Sequence, residues 1–233
     1  MTTTWVVRGA GCVIALAAAC AGHHVDQTAG PKPTTPLPTA GLAGQQVSLF
    51  PLTLIAAEDS LHWDVRLGDR HAALAKADSV IGTMIKARAP EVTWVLPEEL
   101  RRVARRAPSV ATDPEQMSTA LLRAENIVAV PDPLRSQLRT LVAIAGGRYA
   151  LIPAALVYHR TLGPVDSLTA TARPTNPAGG VGGGEGGATA ELMVVMVDVR
   201  LGRVGWRTIA RGEGDDPWSA LTRAIKSMTP GLP

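Results

Sequence analysis

Apolar residues in this chain follow two spacings, and each change of spacing marks a new element. Val47-Ser48-Leu49-Phe50-Pro51-Leu52-Thr53-Leu54-Ile55 is an apolar run of strand length, in which Pro51 points to a bulge or an edge. Beyond Asp69, Leu74, Ala77, Ile81, Met84 and Ile85 recur at three- and four-residue steps. That predicts a helix ending near Arg88, ahead of Pro90. Val92 to Leu96 returns to strand length. Pro97-Glu98-Glu99 then opens a helix with Arg101, Arg102, Arg105 and Arg106 towards its end, acids first and bases last as the helix dipole favours.

Three later helices share a start signal. Asp113-Pro114, Asp132-Pro133 and Asp216-Pro217 each set an N-cap acid before a proline at the first helical position. The second helix stops at Gly146-Gly147. Between the second and third helices lie the strands Tyr149 to Arg160 and Leu192 to Val199, the latter almost wholly apolar and so expected to be covered on both faces. Val204 to Arg211 alternates as a half-buried strand, with Arg203, Arg207 and Arg211 on its outer face. Leu201-Gly202 makes the last two strands a hairpin. Residues 161–189 are rich in Pro and Gly and read as a mobile loop. The order predicts an α/β fold: one layered domain over 47–230, a sheet of about five strands packed by helices, and a C-terminal β-hairpin followed by a helix.

The first residues carry a different message. Gly9 to Ala19 is small and apolar behind Arg8, too short to span a bilayer as a helix, and reads as a secretory signal over 1–19. It ends Leu16-Ala17-Ala18-Ala19-Cys20, which resembles a bacterial lipobox, with Ala17 where Leu is usual. That resemblance implies lipidation, palmitate included, at Cys20. Ala21 in place of Asp implies sorting to the outer membrane, facing the periplasm. Cys12 would leave with the leader and Cys20 would carry lipid, so no thiol is left for chemistry. Residues 20–46, with Gly30-Pro31-Lys32-Pro33, Pro36 and Pro38, show no hydrophobic period and read as a flexible tether. Fully extended, the stretch from Ala21 to Gln46 would reach about 85–90 Å.

Composition narrows the remaining choices. Of 233 residues, 46% are hydrophobic but only 3% aromatic, so the core must be built from aliphatic side chains. A net charge of +3 is too small to argue for nucleic acid, and no aromatics are interleaved with the bases. Two cysteines exclude a disulfide scaffold and a four-cysteine zinc site.

Several local patterns carry a resemblance. Val47 to Leu52 reads as an apolar strand followed by Pro. Gly147-Arg148-Tyr149-Ala150-Leu151-Ile152-Pro153 reads as a glycine turn into an inner strand. In Val197-Asp198-Val199-Arg200-Leu201-Gly202-Arg203-Val204-Gly205-Trp206, an Asp, a turn Gly and a Trp fall in sequence. Over about residues 47–229 the chain resembles the periplasmic lipoprotein superfamily of the curli secretion lipoprotein, the TolB N-terminal domain and the LpoB-type activators of peptidoglycan synthases. The resemblance implies a scaffold or protein-binding role and no shared catalytic residues. A membrane pore of the curli type needs long amphipathic hairpins, and the Gly/Pro-rich 161–189 lacks their alternation.

Motifs with mechanistic spacing do not occur. There is no G-x-S-x-G, H-E-x-x-H or S-x-x-K. The run Gly179 to Gly187 lacks the Lys-Ser/Thr of a phosphate loop, so neither nucleotide nor another cofactor is expected. His23-His24 in the tether is not read as a metal site. Glu58, Asp59, Asp64 and Asp69 gather near His62 and His71, an arrangement a hydrolase could use for acid–base work. The other reading is a solvated loop. The leading expectation is a non-catalytic envelope lipoprotein that binds another envelope protein or itself. Its membrane contact would run through Cys20 and its partner contacts through Arg203, Arg207, Arg211 and Trp63. A periplasmic hydrolase using residues 58–71 is the alternative.

Overall fold

The most continuously apolar sequence forms the longest strands. The computed structural model describes residues 37–161 and 187–229. In it β4 (Tyr149–Arg160), β5 (Ala188–Asp198) and β6 (Arg203–Gly214) run antiparallel in one sheet. β5 begins before the expected Leu192 and β6 runs on past Arg211. β1 (Gln46–Leu49) and β2 (Ile55–Ala57) lie one after the other along the free edge of β4, parallel to it, and β3 (Thr93–Val95) flanks β1. The strand order is β3-β1-β4-β5-β6, with β2 also on β4: six strands among the described residues where about five were expected.

The sixth strand arises because the run 47–55 does not stay continuous. Its Phe50 N–H still reaches Leu151 O at 2.9 Å and its Leu54 O accepts from Leu156 N–H at 3.0 Å, but residues 50–54 leave the ladder. β4 matches that gap. Pro153, which has no N–H to offer, faces the interruption, and the register shifts between Pro153 and Ala155.

Helices cover both faces of the sheet. α1 (Asp64–Leu67) is a single turn. α2 (Arg70–Arg88) and α5 (Pro217–Met228) pack on one face, against Leu192, Val194 and Met196. α3 (Pro97–Arg106) and α4 (Leu134–Ala145) pack on the other, against Val195, Val197 and Val199. The unbroken apolar sequence of β5 is the signature of a strand buried from both sides.

The expected start signals divide. Asp69 caps α2, accepting from Ala72 N–H at 3.0 Å, and Asp216 caps α5, accepting from Trp218 and Ser219 N–H. Asp113-Pro114 opens only the short 3-10 turns Pro114–Gln116 and Thr119–Arg123, not the expected α-helix. Asp132 is not an N-cap, because Pro133 holds that place and α4 starts at Leu134.

The expected tether is also shorter within the described residues. Leu37 and Leu42 are buried in the core, and Leu37 N–H donates to Met228 O at 2.9 Å, so among the described residues packing already includes Leu37, ahead of Val47. The leader, Cys20, His23-His24 and the centre of the Gly-rich loop lie outside the described residues.

α5 approaches β6 unusually closely. A Cβ on Gly212 would fall on the backbone of Ala224 and Ala220, and one on Gly214 on Ala220 and Ser219. Backbone cannot yield as a flexible side chain can. Gly212→Ala should therefore cost about 1–3 kcal/mol or more by overpacking, read as a lower urea midpoint at unchanged slope.

Candidate functional site

The acidic segment follows directly from β2. Glu58 N–H donates to Tyr158 O at 2.9 Å, and the Glu58 carboxylate turns back to accept the Arg160 N–H at 2.9 Å. That hydrogen bond, with one from Ser60, holds its pKa below the usual range. A 3-10 turn over Asp59–Leu61 ends at His62, whose φ of +50° is the one positive value at a non-glycine among the described residues. The next side chain points inwards. Trp63 is only 5% exposed and meets the Tyr158 ring edge-on, with centroids 5.2 Å apart. Tyr158 in turn donates its hydroxyl to Pro217 O at 3.1 Å. Trp63 is therefore a core anchor and not the exposed contact expected of it.

Glu58, Asp59, His62, Asp64 and Arg70 line a cavity of about 570 Å³ beside β2. His71 does not join them. It lines a second cavity of about 650 Å³ with Glu98, Arg101, Arg105 and Glu115. His62, Asp59 and Asp64 are solvent-exposed, and no hydrogen bond links His62 to a carboxylate of its cavity. Asp69 is held by its capping role. The acid–base pair that a hydrolase reading needs is not assembled. Among the described residues, no group of three or more His, Cys, Asp or Glu side chains is placed to hold a metal ion, and no helix is long and apolar enough to cross a membrane.

The three strand arginines do not form one basic face. A register shift at Gly205 pairs Val204 with Val197 but Trp206 with Met196, so the alternation changes phase. Arg203 and Arg207 consequently project from opposite faces. Arg203 is exposed beside the β5–β6 turn. Arg207 is occupied. Its Nη1 donates to Glu125 O at 2.6 Å and its Nη2 to Leu122 O at 3.1 Å and Ile127 O at 3.3 Å. These bonds fasten residues 122–130 as a strap along β6, which continues with Val204 N–H to Val128 O and Val130 N–H to Gly202 O, both 2.9 Å. Arg211 Nε donates to Glu191 Oε1 at 2.7 Å across the ladder.

The most deeply set ionic group comes from α2. Asp78 is 5% exposed. Its Oδ1 accepts Leu52 N–H at 2.7 Å, and its Oδ2 accepts from Arg101 Nη2 of α3 at 2.5 Å. Arg101 also reaches Glu98 at 3.0 Å and Glu115 at 2.8 Å. Burial pushes Asp78 up to about 6 against the pull of the Leu52 amide and Arg101. Burial opposes the charge of Arg101 as well, but Asp78 and Glu115 outweigh it and raise that pKa. This node was legible only as an anomaly: Asp78 sits on the same helical stripe as Leu74, Ile81 and Ile85.

No protein-family model matches the chain, and no curated protein does. Among solved structures, the chain is similar to the LpoB C-terminal domain from Salmonella enterica, with 13% identity, a TM-score of 0.37, and 74% of this chain and 83% of that one covered. It is similar to E. coli LpoB, with 12% identity, a TM-score of 0.36, and 92% and 83% covered. It is similar to the PelC dodecamer subunit from Paraburkholderia phytofirmans, with 11% identity, a TM-score of 0.36, and 84% and 95% covered. LpoB is thus among the structural neighbours of this chain, at identities and TM-scores that bring no function with them. The chain itself has a mixed α/β fold with a six-stranded, helix-packed sheet closing in strand, strand, helix.

Two outcomes follow from the ionic groups. A carboxyl whose folded-state pKa is raised loses stability as it is forced to ionise. Below pH 4 Asp78 is protonated folded and unfolded, and between about pH 4 and 6 only the folded chain keeps the proton. The stability of the wild type relative to Asp78→Asn should fall by about 2 kcal/mol from pH 4 to pH 7, measured by urea denaturation at both. Arg207→Ala frees three strap carbonyls. It should cost about 2 kcal/mol and speed amide exchange at Val130 and Val204.

Proposed function

We propose that the protein is an outer-membrane lipoprotein, anchored through Cys20 and facing the periplasm, whose α/β domain binds another envelope protein without catalysing a reaction. The run Leu16-Ala17-Ala18-Ala19-Cys20, set ahead of a domain that is packed from Leu37 onwards, is the observation that carries the reading. The separation of His62 from His71, and the structural duties of Glu58 and Asp69, favour binding over hydrolysis.

The contact surface is assigned to the outside of the strap and the adjoining turn. Val128 of the strap and Leu201 of the turn are 67% and 56% exposed, Leu121 is 53% exposed where the strap begins, and Arg203, paired with Ala129, is exposed on the edge of β6. Large apolar side chains held in solvent by a fastened backbone suit a preformed protein contact, with an arginine as its polar rim. Of the expected contact residues, Arg203 is retained and Arg207 fastens the strap from behind, while Arg211 pairs with Glu191 of β5.

Two measurements test the proposal. Cys20→Ala should move the protein from the membrane to the soluble fraction, and unchanged membrane association would overturn the anchor. A photo-crosslinker at Val128 in intact cells should capture an adduct that one at Lys86, on α2, does not. Recovery of the uncrosslinked monomer from both would overturn the contact.

A further inference from the structure

The end of the sheet where α4 runs into β4 and β5 turns into β6 gathers positive charge around a hollow. A cavity of about 540 Å³ there is lined by Arg139, Arg148 and Arg200, with Val142, Ala143 and Val199 as apolar wall. Asp198, beside the wall residue Val199, is already engaged. Asp198 Oδ2 accepts from Arg148 Nε at 2.9 Å and Nη2 at 2.5 Å, while Oδ1 accepts Leu201 N–H at 3.1 Å. Burial would raise the Asp198 pKa, but Arg148 and the turn amide outweigh it and hold the carboxyl ionised. Arg148 is still half-exposed and lies over the Tyr149 ring, 5.1 Å from its centroid. Arg139 and Arg200 are exposed, and Arg139 Nη2 donates to the Arg200 carbonyl at 3.3 Å. Three arginines thus line one concave space, with Arg148 already paired to Asp198 and Arg139 donating to the Arg200 carbonyl.

The hollow has the volume of a small-molecule site. The carboxyl end of α4, which would oppose an anion, is blunted where Gln46 Nε2 donates to Ala145 O at 2.9 Å. The position is also specific. Gln46, where the chain enters β1, lies against Gly146 and Gly147 at this same end. The arginines therefore stand where the chain arriving from the N-terminus joins the sheet.

We propose that this cavity binds the phosphate of a glycerophosphate ester, either in an anionic lipid headgroup or as the free ester. Guanidinium forks match phosphate oxygens, and the valine and alanine wall suits the glycerol or the start of an acyl chain. The cavity and the strap contact share only the β5–β6 turn, through Arg200 and Leu201, while Arg139 belongs to the cavity and Val128 to the strap, so each can be tested apart from the other.

Calorimetric titration of the full chain in a neutral detergent tests it, with dioctanoyl phosphatidylglycerol and glycerol 1-phosphate as probes. Saturable binding of either supports the site. Binding of both at similar affinity identifies the free ester as sufficient, and binding of the lipid alone identifies a membrane source. Arg139→Gln with Arg200→Gln should weaken binding about tenfold or more. Arg102→Gln with Arg105→Gln on α3, an equal loss of charge, should change it by less than about twofold. If the cavity pair does not fold, Arg200→Gln alone, at an exposed turn, carries the comparison. Absence of binding by both probes, or equal losses in the two pairs, would overturn the proposal.

Discussion

A buried carboxylate holds the two sides of this fold in register. Asp78 comes from α2 on one face of the sheet, Arg101 from α3 on the other, and they meet where the chain leaves β1. Asp78 also takes the Leu52 amide, a backbone donor that the interrupted strand would otherwise leave without a ladder partner. A neutral side chain there could satisfy the amide but not Arg101. A charged one must bear the cost of desolvation, which is why the site is built as a node with Glu98 and Glu115 close by. The break between β1 and β2, the bulge in β4 and the choice of Pro153 all accommodate this one crossing point.

A second theme is the use of arginine as a fastener. Arg207 gathers the carbonyls of Leu122, Glu125 and Ile127, and Arg223 and Ser227 of α5 take the carbonyls of Glu213 and Arg211. These bonds cover much of the β6 backbone that would otherwise invite another strand. What remains outward on the strap mixes Val128 and Ala129 with Arg123, Glu125 and Asn126, and what remains outward at the end of the sheet is cationic. The two proposed binding surfaces therefore differ in chemistry because they face different parts of the same fastened edge.

Local signals in the sequence were dependable where local forces decide. Asp69 and Asp216 cap their helices because an acid before a helix needs only the amides that follow it. The double-sided burial of β5 was equally plain in its apolar run. Long-range forces account for the rest. Met117, Ala120, Leu121 and Ala124 carry the helical pattern that follows Asp113-Pro114, yet Arg207 takes carbonyls that a continuing helix would give to its own amides. The single face expected for Arg203, Arg207 and Arg211 depended on unbroken alternation, and the bulge at Gly205 removes it. Trp63 turns inwards because Tyr158, almost a hundred residues away in sequence, offers it a ring edge. The cavity of Arg139, Arg148 and Arg200 draws on three separate segments, so no window of sequence contains it.

The contact between Leu37 and Met228 has a mechanical consequence. Tension along the N-terminal chain enters the fold there, at the end of the last helix, before it reaches any strand. Residues 37–45 hold on through the buried side chains of Leu37 and Leu42 and through separate bonds, among them Gly44 N–H to Glu91 O and Thr93 N–H to Gln45 O, which a pull meets in turn. Beyond them lies β1, clasped by β3 on one side and β4 on the other, which a pull along its length loads across both ladders together. The segment acts as a fuse. Peeled first, it would lengthen the chain and spare the sheet, so a domain held at one end by an anchor and at the other by a partner would yield in reach before it yields in shape.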